Sequence, residues 1–236
     1  MSVLFRNSLV KNMEVNPHII RDDSLILFLD AGNDLSYPGS GNTWFDMTDN
    51  ENNATINGAT YSNGIISFDG SNDSLSFGSN FSIDVANGFT FWFCWDLPSQ
   101  SSGAWNYFLY HNPSNSHKYE FGQYGTGANT FHWKDNISYA GTAATRNIGD
   151  SYAAFAFGTT SNGYTFSSVN GENKVVKNPG SNSYWATSPT TNMVFNSIFT
   201  GAGSYLAANV RMILLYTREL TNAELAQNNL VSEAKI

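Results

Sequence analysis

Over most of this chain apolar and polar residues alternate in short stretches, and Gly, Asn, Asp and Ser separate one stretch from the next. A period of two bounded by turn residues predicts strands rather than helices. Residues 24–30 (SLILFLD) form a nearly continuous apolar run, the pattern of a short strand buried on both faces. Residues 64–70 (GIISFDG) and 73–79 (DSLSFGS) both alternate, and the spacing between them predicts a hairpin. In residues 88–97 (GFTFWFCWDL), Phe89, Phe91, Phe93 and Trp95 share one face while Thr90, Trp92 and Cys94 share the other, which predicts a central strand covered on both sides. Further strands are predicted at 104–111, 117–124, 129–135, 151–159, 163–171, 192–200 and 208–217, with KVVKN as another. Residues 151–159 and 163–171 read as a hairpin across TSNG. About a dozen short strands with regular turn signals is the pattern of a β-sandwich or jelly roll.

One helix stands out. In residues 220–231 (LTNAELAQNNLV), Thr221 is placed as N-cap and Glu224 three positions on completes a capping box, with Leu220 and Leu225 as the hydrophobic staple. Leu225 and Leu230 are the residues expected to turn toward the sheet, although five positions is imperfect helical spacing. Residues 1–23 have no clean period and read as an N-terminal arm or lead-in strand. Residues 24–236 read as one jelly-roll domain, with the helix expected on its edge or rim.

Composition narrows the setting. Charged residues are 13% of 236 and the formal net charge is −8. This opposes nucleic-acid binding, which needs Lys and Arg to displace phosphate counterions. No apolar run approaches the roughly 20 residues that span a bilayer, so no membrane insertion is expected. The N-terminus makes a poor signal peptide. Cys94 is the only cysteine, so no internal disulfide forms and assembly in a reducing cytoplasm is expected.

Most catalytic chemistry finds no pattern here. The GSG of residues 39–41 lacks the following Lys and helix of a phosphate cradle. No Ser sits in a nucleophile elbow. Glycoside hydrolysis needs two carboxyls across a cleft, and Glu120 stands alone in HKYEFGQY. His111 and His117 flank a turn without a carboxylate or Cys beside them. Calcium takes six to eight oxygens, and Asp46, Asp49, Asn52, Asp69 and Asp73 are the weak candidate ligands, in FDMTDNENN and FDGSND. Asx-turns, in which Asp and Asn bond their own backbone, read the same residues without a metal. Trp105, Tyr107, Trp133 and Trp185 are candidate sugar platforms if exposed.

The ordered motifs Asp30–Ala–Gly–Asn33, Ser36–Tyr–Pro–Gly–Ser–Gly41, Trp44–Phe–Asp46 and Phe68–Asp–Gly70, followed near the C-terminus by Tyr216, Arg218, Leu220 and Glu224, resemble laminin-G-like, concanavalin-A-like jelly-roll modules of the kind found in tailed-phage virion proteins. The usual Ser-Gly-Asn-Gly turn of that pattern is TDNENN here, without glycine. The resemblance implies an all-β antiparallel sandwich in which Pro38 and Gly39 turn the chain while Trp44 and Phe45 anchor it. It implies a structural virion protein, as a capsid decoration, fibre or baseplate component, that is not an enzyme and works by protein–protein docking. Its partners would be other virion proteins of the capsid or tail and further copies of itself, with host-surface glycans as an additional ligand. A carbohydrate-binding, lectin-like module is the alternative, and a glycoside-active enzyme ranks behind it. No cofactor is implied beyond the calcium candidates.

Overall fold

The computed structural model describes residues 18–84, 87–96, 105–111, 119–124, 131–134, 139–140, 153–162, 164–177, 193–201 and 204–233. Its elements are β1 (Leu25–Asp30), β2 (Thr43–Trp44), β3 (Ala54–Asn57), β4 (Thr60–Ser62), β5 (Ile65–Asp69), β6 (Ser74–Ile83), β7 (Phe89–Asp96), β8 (Trp105–His111) and β9 (Tyr119–Tyr124). Then come β10 (Phe131–Lys134), β11 (Tyr139–Ala140), β12 (Ala153–Thr159), β13 (Thr165–Val169), β14 (Val175–Lys177), β15 (Met193–Ile198), β16 (Thr200–Gly201), β17 (Ser204–Tyr205), β18 (Ala207–Tyr216) and helix α1 (Asn222–Glu233).

Two antiparallel layers make a sandwich. One layer is an eight-stranded sheet in the order β14-β13-β12-β7-β18-β5-β4, with β1 also on β18. The other is built from two four-stranded sheets, β15-β6-β3-β2 and β11-β10-β9-β8. Both close on the inner face of β7. Phe108 of β8 meets Phe91 and Phe93 edge-on, with centroids 5.6 and 4.6 Å apart. Phe195 of β15 lies 5.5 Å from Phe91.

The alternation along β7 explains why it is central. Phe89, Phe91, Phe93 and Trp95 enter the core between the layers, while Trp92 and Cys94 enter a second cluster on the opposite face of the sheet. Every residue from Phe89 to Trp95 is buried. That second cluster is closed by α1, through Leu225 and Val231, and by the lead-in segment, through Ile19 with Ile20 packed against it. The helix therefore lies over the outer face of the eight-stranded sheet rather than at an edge or rim. Trp92, Met212, Leu214 and Tyr216 form an apolar surface there that only a covering element can keep from water. Within the helix, Leu225 is fully buried but Leu230 is 52% exposed, and Val231 is the residue that packs. Five positions advance about 500° around a helix, so Leu230 points some 140° away from Leu225.

The hairpin expected between residues 64–70 and 73–79 does not form. β5 pairs with β18 and β4 in the eight-stranded layer, while β6 pairs with β3 and β15 in the other. The intervening turn carries the chain across the sandwich, and Gly70 (φ 77°) passes so close to Ala207 that a Cβ there would meet its Cβ at 3.0 Å. The hairpin between β12 and β13 does form, with Thr159 opposite Thr165. Trp44 is fully buried as expected; Phe45 is 42% exposed and does not share in the anchoring.

Candidate functional site

The calcium candidates fall into two separate turns. Asp46 follows buried Trp44 and points back at β1. Its Oδ1 accepts the N–H of Phe28 at 2.8 Å and that of Thr48 at 3.1 Å. Its Oδ2 accepts the Thr48 hydroxyl at 2.7 Å and the Asn52 N–H at 3.0 Å. Four donors thus converge on one carboxylate, the arrangement of an Asx-turn tied across to a neighbouring strand. Asn52 completes the knot by donating its Nδ2 to the Ile26 carbonyl at 2.7 Å. Glu51 holds φ at 54°, a left-handed conformation that glycine adopts without strain and other residues at a cost of about 1–2 kcal/mol. The turn has no glycine but keeps a glycine-like backbone at Glu51. Asp49 takes part in none of these bonds. It is exposed and lines an open cavity of about 450 Å³ with Arg21, Asp22, Asp23, Thr48 and Asn50.

The second turn joins Asp69 and Asp73. Asp73 is buried, and its Oδ2 accepts the Asp69 N–H at 2.8 Å. Asp69 in turn accepts the Ser71 N–H at 2.7 Å. Burial pushes the Asp73 carboxyl above the usual range; the bond from the Asp69 amide works against this and the Asp69 charge adds to it. Gly58 (φ 84°) sits against it, where a Cβ would lie 2.1 Å from Asp73 Oδ1. Beside this turn is a cavity of about 460 Å³ lined by Thr60, Ser67, Asn72 and Asn209. Among the described residues no three His, Cys, Asp or Glu side chains come together in a group able to hold a metal ion.

The C-terminal signature residues hold the covering layer in place. Arg218 grips Glu224 with two parallel bonds of 3.0 and 2.7 Å and Asp22 with two more, of 3.2 and 2.6 Å, to one oxygen. The bond from Arg218 pulls the Glu224 carboxyl down to about 2. Asp22 is also lowered: burial raises it, but bonds from Ser24 and Arg218 outweigh that. The capping box forms, with the Thr221 N–H donating to Glu224 at 2.7 Å and the Glu224 N–H donating to the Thr221 hydroxyl at 3.3 Å. Leu220 and Leu225, the staple pair, are both fully buried. Deeper in, Asn228 accepts the Ile20 N–H at 2.8 Å and donates to the Tyr216 hydroxyl at 3.1 Å, which itself donates to the Ile20 carbonyl at 2.9 Å. An amide and a phenol thereby satisfy both backbone groups of Ile20, as a neighbouring strand would. Burial raises the Tyr216 phenol well above its ordinary range.

Cys94 is buried between Trp92 and its neighbours as a small apolar residue. Tyr107 is buried too, which removes it from the exposed sugar platforms. The side chains of Trp105, His111, Glu120 and Trp133, and the whole of His117 and Trp185, lie outside the described residues.

No protein-family model matches the sequence, and no curated protein matches it either. Solved structures share its fold. The Trypanosoma rangeli sialidase superposes with a TM-score of 0.62 at 13% identity, over 91% of this chain and 34% of the sialidase. The same enzyme in complex with sialic acid gives 0.61 at 14% identity over 91% of this chain. The binding domain of Paraclostridial Mosquitocidal Protein 1 gives 0.58 at 16% identity, over 88% of this chain and 52% of that one. The chain thus spans about a third of the sialidase and half of the mosquitocidal-protein binding domain, and what it shares with them is the sandwich.

Proposed function

We propose that this chain is a non-enzymatic recognition module: a structural protein of a tailed-phage virion, in a decoration, fibre or baseplate, whose sandwich binds host-surface glycans. The glycan part is carried by one observation. Nearly the whole chain superposes on about half of a domain described as a binding domain and on a third of a sialidase solved with sialic acid. A fold hosts many functions, so this supports a ligand class and leaves the sugar to experiment. The virion setting draws on the ordered motifs at both ends of the sequence.

Docking on other virion subunits needs a rigid body with the arm at one end. The Arg218 and Asn228 contacts supply the rigidity, because they fix residues 20–24 against the helix. No resident cofactor enters this reading, and calcium is tested as a ligand rather than assumed.

Binding of the full chain to a glycan array tests the proposal. Specific, saturable binding to a set of related glycans is the expected result, and an array without binding overturns the glycan part. Binding that vanishes with a chelator would assign a calcium-dependent site. Detection of the protein in purified particles supports the virion setting, and its absence from them sinks it. Polysaccharide cleavage that disappears in Glu120→Gln would overturn the non-enzymatic reading.

A further inference from the structure

β18 is ten residues long and shares one of its edges between two strands. Ala207 to Val210 pair with β5, and Met212 to Tyr216 pair with β1. Arg211 sits at the handover, and the register with β7 on the other edge shifts at the same place, between Val210 and Met212. Such irregularities re-aim side chains and interrupt pairing. Here β1 ends at Asp30 and β5 begins at Ile65, so the sheet has a seam where two strand ends face each other across Arg211.

A cleft of about 380 Å³ opens at this seam, lined by Asp30, Gly32, Tyr61, Asn63, Gly64 and Arg211. That volume lies within the range of about 300–1,000 Å³ usual for small-molecule sites. The motifs singled out in the sequence build its walls. Asp30 is buried, and its Oδ1 accepts the Gly32 N–H at 3.0 Å. The Ala31 N–H is tied to the Arg211 carbonyl at 2.8 Å. Asn63 and Gly64 have φ of 50° and 75°, the geometry of a two-residue Asn-Gly turn. A Cβ on Gly64 would lie 3.2 Å from Gly32 Cα and 3.9 Å from an Arg211 nitrogen, so the two glycines let both turns approach without filling the cleft. Tyr61 is half-buried, and Tyr37 backs it at a centroid distance of 4.8 Å. Tyr37 is itself fixed by donating to the Gly41 carbonyl at 2.8 Å. The Ser-Tyr-Pro-Gly-Ser-Gly loop therefore braces the aromatic wall of the cleft.

We infer that this seam, where Asp30, Asn63, Arg211 and the braced ring of Tyr61 converge, is a subsite for the terminal neutral hexopyranose of a glycan; the inference rests on the glycan-binding reading above. Vicinal sugar hydroxyls both donate and accept. The Asp30 carboxylate supplies an acceptor, Arg211 supplies donors in a planar fork, and the Asn63 amide supplies both. The Tyr61 ring supplies apolar surface for the C–H face of the sugar. The Asp30 carboxylate and the Arg211 guanidinium leave the cleft without net charge, and the chain's net charge of −8 works against an anionic sugar.

Saturation-transfer NMR and titration calorimetry with methyl α-glucopyranoside, methyl β-galactopyranoside, methyl α-mannopyranoside and N-acetylneuraminic acid test the assignment. At least one neutral glycoside binds the full chain. Asn63→Gly keeps the turn's positive φ and removes the amide, so it weakens that binding about fivefold, the worth of a lost hydrogen bond. Arg211→Met weakens it further, Tyr61→Ala abolishes it, and Asp49→Asn, at the other cavity, leaves it unchanged. Thermal melts of Asn63→Gly and Asp49→Asn match the parent, which separates lost binding from lost fold. Equal binding by the parent, Asn63→Gly and Arg211→Met overturns the subsite, and so does binding of N-acetylneuraminic acid alone. If the array shows glycan binding that these variants retain, the subsite fails while the glycan-binding reading stands. If neither array nor glycosides show binding, both fail together.

Discussion

The two faces of the eight-stranded sheet are both buried, but by different physics. The inner face is sealed by aromatic side chains: Phe93 alone stacks on Phe91, Trp95 and Phe157 at 5.7, 4.7 and 5.8 Å and takes Phe108 edge-on. The larger part of the energy of such packing, the burial of apolar surface, is non-directional and scales with area removed from water. The outer face is sealed by α1 and the lead-in segment, two elements about 200 positions apart in the chain, held in one pose by bonds that Arg218 and Tyr216 donate to Asp22 and Ile20 and that Asn228 accepts from Ile20. The inner face therefore governs whether the sandwich exists, and the outer face governs where residues 19–24 sit on it.

That contrast is open to direct attack, beginning with the largest effect. Phe93→Ala empties the centre of the inner face and is expected to lower unfolding free energy by about 3–5 kcal/mol in urea titrations. Retention of parent-like stability would show that the aromatic stack is not the seat of stability. Asn228→Ala strips two buried partners from Ile20 and Tyr216 at a cost of about 1–3 kcal/mol. Its distinctive sign is faster amide exchange at residues 19–25 while β7 and β12 stay protected. Loss of protection in both places would mean that the faces do not act separately.

Acid supplies a milder perturbation. Glu224 is held near 2 against a usual 4.5, so its contribution is complete above pH 4.5 and is lost as the pH falls toward 2. With solvent screening of this partly exposed pair, the loss is about 1–2 kcal/mol. Glu224→Gln should flatten this part of the stability-versus-pH curve, and a curve unchanged by the substitution would remove the clamp from the account. The smallest effect is at Leu230. Leu230→Ser should change stability by no more than about 0.5 kcal/mol because the side chain is exposed. A large loss would mean that the helix is rotated on the sheet.

Local signals were legible in the sequence. The alternation along β7 marked a central strand because a period of two can serve two buried faces, and both clusters meet at that strand. The capping box and staple of α1 were readable because every partner lies within six positions. At Asp46 the sequence offers both metal ligand and Asx-turn, and the donors that reach the carboxylate include neighbours two and six positions away.

What resisted reading involved partners distant in the chain. The two residues between the strands at 64–70 and 73–79 suit a hairpin and a crossover between layers equally well, and only the pairing of β5 with β18 and of β6 with β3 decides between them. Leu230 satisfies the apolar pattern but not the helical phase that the sheet surface imposes. The seam at Arg211 leaves no mark in its own stretch, ANVRMILLY, because it arises from a change of neighbour along one edge. The sequence by itself thus determined the sandwich class, the central strand and the helix cap, all products of short-range periodicity and local hydrogen bonding. Which sheet each strand joins, which face the helix covers, and the cleft that brings Asp30, Tyr61, Asn63 and Arg211 together were decided by tertiary packing, because each depends on what a strand edge meets rather than on the strand itself.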